Sequence, residues 1–199
     1  MKAIVFNYGA SNLYSVASSL ERAGFEVEVS SAISSEVEAD LMVLPGVGNF
    51  AQASSAIEKY KLQILEGALR GMTVLGICLG LHLMFEESEE GKGKGLGIIK
   101  GKVKRLRRGK VPHMGWSLTK KVKDALLLEP LGDSAWLYYA HSYAVPYVKD
   151  VTYAVSDNNY EKIPSIILKG QFIGVQFHPE KSGKVGLEFL KKLREVLRR

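Results

Sequence analysis

Short apolar runs separated by helical repeats dominate the first half of the chain. Residues 3–6, Leu41–Leu44 and Thr73–Ile77 are unbroken apolar stretches bounded by turn residues, the pattern of strands buried on both faces. Glu26–Ser30 alternates charged and apolar positions, as a half-exposed strand does. Between them, Leu13, Val16, Ala17 and Leu20 recur at helical spacing, and Gly24 supplies a stop. Residues 51–70 read as one helix with Ala53, Ile57, Ile64, Leu65 and Ala68 on its buried face and Gly71 at its end. A short helix is predicted over 79–87, and the Gly- and Lys-rich stretch 91–97 reads as a flexible connection.

The second half changes period. Residues 103–106, 136–140, 152–155, 165–168 and 172–177 are short strand patterns divided by turns, with Lys169-Gly170 as the turn of a tight hairpin. Residues 185–199 close the chain as a helix with Phe189, Leu190, Leu193, Val196 and Leu197 in its apolar stripe. The expectation is an α/β fold: an open, largely parallel central sheet flanked by helices, with an added antiparallel strand region in the C-terminal half. With no internal repeat or long linker, residues 1–199 are expected to form one domain.

Composition narrows the field. The chain has 199 residues, 46% hydrophobic and 24% charged, so it can bury about 70% of its unfolded surface and needs no staple to hold a core. Its single cysteine, Cys78, excludes an intrachain disulfide and suggests a reducing compartment. The apolar run at 3–6 is too short for a signal peptide, and nothing approaches the roughly 18 apolar residues that span a bilayer. The expectation is therefore a cytoplasmic protein with no membrane association. The net charge of +6, from 27 basic and 21 acidic residues, concentrates at Lys100, Lys102, Lys104, Arg105, Arg107, Arg108 and Lys110, then Lys120, Lys121 and Lys123. This stretch carries no nucleic-acid module, so it reads as a solvated face or docking surface.

Three segments could carry chemistry. Gly76-Ile77-Cys78-Leu79-Gly80 spans a strand end and a helix start, the arrangement of a nucleophile elbow with sulfur as nucleophile. Small neighbours allow the sharp turn, and the helix start favours negative charge on sulfur. A buried structural cysteine is the competing reading. His178-Pro179-Glu180 follows an apolar strand, and alternation sets His178 and Glu180 on one side, where a carboxylate can orient an imidazole. A surface His beside a Glu is the alternative. Pro45-Gly46-Val47-Gly48-Asn49-Phe50 also follows a buried strand, and its glycines let a peptide N–H turn toward a ligand, or simply make a turn. The four histidines are far apart in sequence and there is no CxxC or HExxH, so no metal site is expected; nor does 91–97 have the ending of a phosphate loop.

Together these segments resemble the class I (triad) glutamine amidotransferases, and within that class the glutaminase subunits of imidazole glycerol phosphate synthase, the HisH group. The resemblance runs in order along the chain. It rests on Asn7-Tyr8-Gly9-Ala10-Ser11-Asn12-Leu13, Leu44-Pro45-Gly46-Val47-Gly48-Asn49-Phe50, Gly76-Ile77-Cys78-Leu79-Gly80, Leu83-Met84-Phe85-Glu86, Pro112-His113-Met114-Gly115-Trp116, His141-Ser142-Tyr143 and Phe177-His178-Pro179-Glu180-Lys181-Ser182-Gly183. The chain departs from the group's usual pattern at Asn7, Ser11 and Ser117, and at His82, where a substrate-holding Gln is usual.

The resemblance implies that Cys78 attacks the carboxamide of glutamine, with His178 as base and then acid and Glu180 orienting it. It implies an oxyanion hole at the peptides of Val47 and Leu79, and substrate contacts at Gly46, Gly48, His82, Ser142 and Tyr143. No cofactor is implied. Ammonia would pass to a separate (β/α)8-barrel cyclase subunit of the HisF type in a heterodimer. The joint reaction would consume phosphoribulosyl formimino-AICAR phosphate and yield imidazole glycerol phosphate and AICAR in histidine biosynthesis. A glutaminase subunit of a pyridoxal phosphate, anthranilate or purine synthase is the alternative, as is a non-catalytic regulatory relative. A nucleic-acid-binding protein would leave the elbow unexplained.

Overall fold

A computed structural model describes residues 1–9, 12–33, 38–157 and 161–198. Ala10 and Ser11 of the first turn, and Arg199 of the terminal helix pattern, lie outside the described residues. The alternating half builds β1 (Lys2–Phe6), α1 (Leu13–Arg22), β2 (Glu26–Ser30), β3 (Leu41–Leu44), α2 (Phe50–Glu58), α3 (Lys61–Leu69), β4 (Thr73–Ile77) and α4 (Leu79–His82). The strand-rich half adds β5 (Phe85–Ser88), β6 (Ile99–Arg105), β7 (His113–Lys121), β8 (Ser134–His141), β9 (Tyr143–Ala144), β10 (Thr152–Asp157), β11 (Lys162–Lys169) and β12 (Phe172–Val175), before α5 (Gly183–Val196).

Among the described residues nine strands form one sheet in the order β2-β1-β3-β4-β12-β11-β10-β7-β8. Pairing is parallel from β2 across to β12 and antiparallel from β12 out to β8. β12 joins the two regions, running parallel to β4 and antiparallel to β11. A smaller sheet has the order β5-β6-β9.

The continuous apolar runs are explained by helices on both sides. Ala3, Val5, Leu41, Val43, Leu75 and Ile77 face a core shared with Val16 and Leu20 of α1 and Phe189, Leu190 and Leu193 of α5. Phe6, Met42, Leu44 and Val74 face the opposite core, with Ala53 and Ile57 of α2 and Ile64 of α3. No helix among the described residues is long and apolar enough to cross a membrane.

Several local expectations are corrected. The helix expected over 51–70 breaks into α2 and α3 at Tyr60, which leaves helical geometry (φ −118°) and sets its ring edge-on against Phe6. The helix expected over 79–87 stops after one turn, and Phe85–Ser88 instead pairs with β6. The stretch 91–97 is pinned rather than loose: Leu96 N–H donates to Leu83 O at 2.7 Å and Ser54 Oγ to Lys94 O at 2.7 Å. The β11–β12 turn is Gly170-Gln171, since Lys169 pairs with Phe172 and Gly170 takes φ +56°. β7 lies within the basic stretch, where no strand was expected.

Candidate active site

The carboxyl ends of β1, β3, β4 and β12 converge on one edge of the parallel sheet, where open α/β folds hold their ligands. Asn12 follows β1, Gly46 follows β3, Cys78 follows β4 and His178 follows β12.

Cys78 sits between β4 and α4 with φ 49° and ψ −99°. That region is strained for a residue with a Cβ, at a cost of order 1–3 kcal/mol. The neighbours make the turn possible by lacking side chains. A Cβ on Gly76 would lie 2.5 Å from the Gly80 backbone, and one on Gly80 would overlap the Leu44 carbonyl. Because α4 is a single turn, it has little macrodipole. The sulfur is served by individual hydrogen bonds instead: it accepts from Gln176 Nε2 at 3.5 Å, and as a thiol it donates to the Ala140 carbonyl oxygen at 3.8 Å.

His178 Nδ1 lies 2.8 Å from Glu180 Oε1, and both side chains are 1% exposed. Asn12 Nδ2 donates to the same carboxylate oxygen at 2.9 Å. His178 Nε2 is buried with no partner in hydrogen-bonding geometry, as often holds before substrate aligns a site. Burial opposes charge on this ring. Interaction with Cys78 and Glu180 outweighs burial, and the pKa rises to about 9. Gly46 lies against both groups: its absent Cβ would meet Ile77 O at 2.7 Å, Cys78 Cβ at 3.1 Å and His178 Cε1 at 3.2 Å. The turn carrying the histidine is tied to β8, with His178 N–H donating to Tyr138 O and Ser182 Oγ to His178 O.

The Leu79 N–H donates to Gly46 O at 3.5 Å. The Gly46–Val47 peptide therefore turns its oxygen, not its N–H, toward that donor.

A cavity of about 400 Å³ opens over Cys78. Gly46, Val47, Gly48, Leu79, His82, Ser142, Tyr143 and His178 all line it. Glu180 stands behind His178 instead, as an orienting carboxylate should. His82 is 3% exposed, with Nε2 3.0 Å from Gln176 Oε1. Burial pushes its pKa down to about 4, only partly opposed by the Gln176 hydrogen bond. The histidines scattered in sequence gather here: His113 Nδ1 lies 3.0 Å from His141 Nε2, and burial together with charges at His113, His82 and His178 holds His141 down at about 3. Among the described residues no group of metal-ligating side chains could hold an ion.

Three residues of this site were not assigned roles from sequence. Gln176 had a signal, being a polar residue inside an apolar strand pattern. Asn12 had only its place in a turn. Glu90 had none, because the 85–96 segment brings it to the cavity from outside the main sheet. Its half-buried carboxylate accepts from Phe50 N–H at 3.3 Å at the start of α2, and burial raises its pKa.

Residues 4–193 match the family described as glutamine amidotransferase class-I. The "Imidazole glycerol phosphate synthase subunit HisH" of Saccharolobus solfataricus is 41% identical, with 100% of both chains covered. That of Sulfolobus acidocaldarius is 42% identical, again with 100% of both covered, and that of Oceanobacillus iheyensis is 39% identical over 98% of both. Among solved structures, PurLQS from Thermotoga maritima aligns with a TM-score of 0.74 at 20% identity, covering 100% of this chain and 98% of that one.

Proposed function

The chain belongs to the glutamine amidotransferase class-I family, and from that premise we propose that it is the glutaminase subunit of an imidazole glycerol phosphate synthase. The observation that carries the reading is the strained cysteine facing a buried imidazole–carboxylate pair at the floor of a cavity. Full-length similarity to HisH proteins supports the choice of synthase.

Glutamine enters with its carboxamide over Cys78. Glu90, the one carboxylate among the described cavity-lining residues, suits its ammonium group. The thiol proton passes to His178 Nε2, and the thiolate then attacks the carboxamide carbon. His178, held by Glu180 and Asn12, then gives that proton to the departing nitrogen, and the C–N bond breaks to release ammonia. A glutamyl thioester remains. Water, deprotonated by His178, hydrolyses it to glutamate and returns the sulfur.

The tetrahedral intermediates need donors at their oxyanion. Leu79 N–H is one, currently turned to Gly46 O. A flip of the Gly46–Val47 peptide removes that acceptor and brings the Val47 N–H in as a second donor. One such donor is worth about 2.7–4 kcal/mol in the barrier, or roughly 10²–10³ in rate. The peptide orientation described here is therefore a low-activity state, and the flip is the switch.

The partner in this reading is a barrel cyclase subunit of the HisF type, forming a heterodimer in the cytoplasm. Its docking surface is the outward face of β7 and β8. Met114 and Trp116 are exposed there, Trp116 packs edge-on against Tyr138, and Lys181 lies over the Tyr138 ring. Met114 and Lys181 also line the cavity, so a subunit seated there covers the exit route for ammonia.

The test is glutamine turnover by the chain alone, with the cyclase, and with cyclase plus its nucleotide ligand. The liganded complex is expected to exceed the lone chain by at least tenfold, with Trp116→Ala lowering cyclase affinity. Three rates within about twofold of one another, far below the donor effect above, would contradict the switch.

A further inference from the structure

We propose that Gln176 is a catalytic residue, donating a hydrogen bond to the Cys78 sulfur, and that His82 is the positioning residue that holds its carboxamide in the donating orientation. The inference deepens the glutaminase reading and rests on it.

The sheet makes the contact. β12 runs parallel to β4 with Val175 opposite Ile77, and Cys78 N–H donates to Val175 O at 2.7 Å. The residue after Val175 therefore lies beside the nucleophile. Gln176 is 0% exposed among apolar neighbours Ile173, Val175 and Phe177. A buried carboxamide is costly unless its polar atoms are paired. The sheet does not need it, since the backbone N–H of Gln176 already donates to Ser165 O at 2.9 Å. Both side-chain polar atoms are instead spent at the site, Nε2 on Cys78 Sγ at 3.5 Å and Oε1 on His82 Nε2 at 3.0 Å.

The chemistry fixes the orientation. A sulfur that attacks carbon reacts as thiolate and only accepts hydrogen bonds, so the amide NH2 must face it. The amide oxygen then faces His82, which must donate from Nε2. A neutral imidazole has one N–H, so Nδ1 is left bare, in agreement with its being buried without a partner. The low pKa of His82 keeps the ring in that neutral form. The other titratable groups at the site are His178 with Glu180 behind it, His141, Glu90, Tyr143, Lys181 and Tyr8, whose hydroxyl donates to Pro45 O. None of these is in hydrogen-bonding geometry with the sulfur, whereas Gln176 is. The bond from Gln176 is strongest when the sulfur is charged, before attack and again as the thioester breaks down. Its loss should therefore appear in kcat and in the sulfur's nucleophilicity, not in KM.

Four proteins decide the matter: the parent, Gln176→Leu, His82→Leu and His82→Gln. Each is assayed with the cyclase for kcat and KM, and alone for the rate of Cys78 alkylation by iodoacetamide at one pH. Hydrogen bonds to charged groups set the scale, and Gln176→Leu and His82→Leu are each expected to lose about tenfold or more in both rates, with KM within about threefold. His82→Gln keeps a donor and is expected to recover to within about threefold of the parent in both rates. A folded Gln176→Leu that matches the parent overturns the proposal. So does a His82→Leu that raises KM while leaving alkylation unchanged, which would make His82 a substrate contact only. If Gln176→Leu does not fold, the two His82 variants decide alone: loss with Leu and recovery with Gln supports it, and equal behaviour overturns it. A parent that hydrolyses no glutamine refutes the glutaminase reading instead, and the alkylation rates still judge the hydrogen bond.

Discussion

At the scale of single residues, His178 and Glu180 are neighbours with unequal duties. In the proposed mechanism His178 moves protons, while Glu180, with Asn12 on the same oxygen, holds the ring and supports its charge. His178→Ala is therefore expected to cost roughly 10⁴–10⁶ in kcat and Glu180→Gln less, about 10²–10⁴, the range over which triads lose activity when dismantled. Steady-state turnover with the cyclase checks this, and parent rates in both variants would refute the triad. That Cys78, His178 and Glu180 come together was legible because each residue type sits in a pattern the proposed chemistry requires: small residues around a sharp turn, and an imidazole two positions from a carboxylate. Glu90 was not legible, because its approach to the cavity depends on how a segment outside the main sheet is pinned.

At the scale of elements, backbone proximity holds the site together. β3 and β4 lie close enough that Gly80 packs on the Leu44 carbonyl and Gly46 fits between Cys78 and His178. Overpacking of this kind costs typically about 1–3 kcal/mol. Gly80→Ala is expected to lower stability by at least that much, read as a reduced urea midpoint with unchanged slope; an unchanged midpoint would show that the elbow yields easily. The same scale shows where sequence patterns fail. The parallel strands declare themselves by apolar runs. β7 does not, because its inward positions include Ser117 and Thr119, buried polar residues satisfied by His113 of the same strand and by Tyr139 of β8. β5 continues the helical spacing of α4 and becomes a strand only because β6, distant in sequence, pairs with it. The α2–α3 break is equally nonlocal, since it is Phe6 that the Tyr60 ring meets.

At the scale of the whole molecule, the buried histidines define a pH window. His178 has a raised folded pKa of about 9, so its stabilising contribution is fully present below the unfolded value of about 6.5 and is lost as pH rises through 9. His82 and His141 are depressed to about 4 and about 3. Their contributions are present above about 6.5 and are lost as pH falls toward those values. These groups together predict maximal stability near neutrality. The acid limb should fall by up to about 1.4 kcal/mol per pH unit for each of the two. Thermal melting between pH 4 and pH 10 measures it, and removing His141 should flatten the acid limb; a limb unchanged in that variant would contradict the assignment. The antiparallel half does two further things for the whole. Through Tyr138 it fixes the turn that carries His178, and through Met114 and Trp116 it presents the exposed face proposed above to receive the cyclase. The central claim, covalent glutamine hydrolysis at Cys78, is tested most directly by acid-quenching the liganded complex during turnover of carbon-labelled glutamine and mapping the label by mass spectrometry. The account predicts a glutamyl adduct on the peptide containing Cys78, absent from Cys78→Ala, which should retain its fold and lose turnover. Label on another residue, or glutamate released by Cys78→Ala at the parent rate, would contradict it.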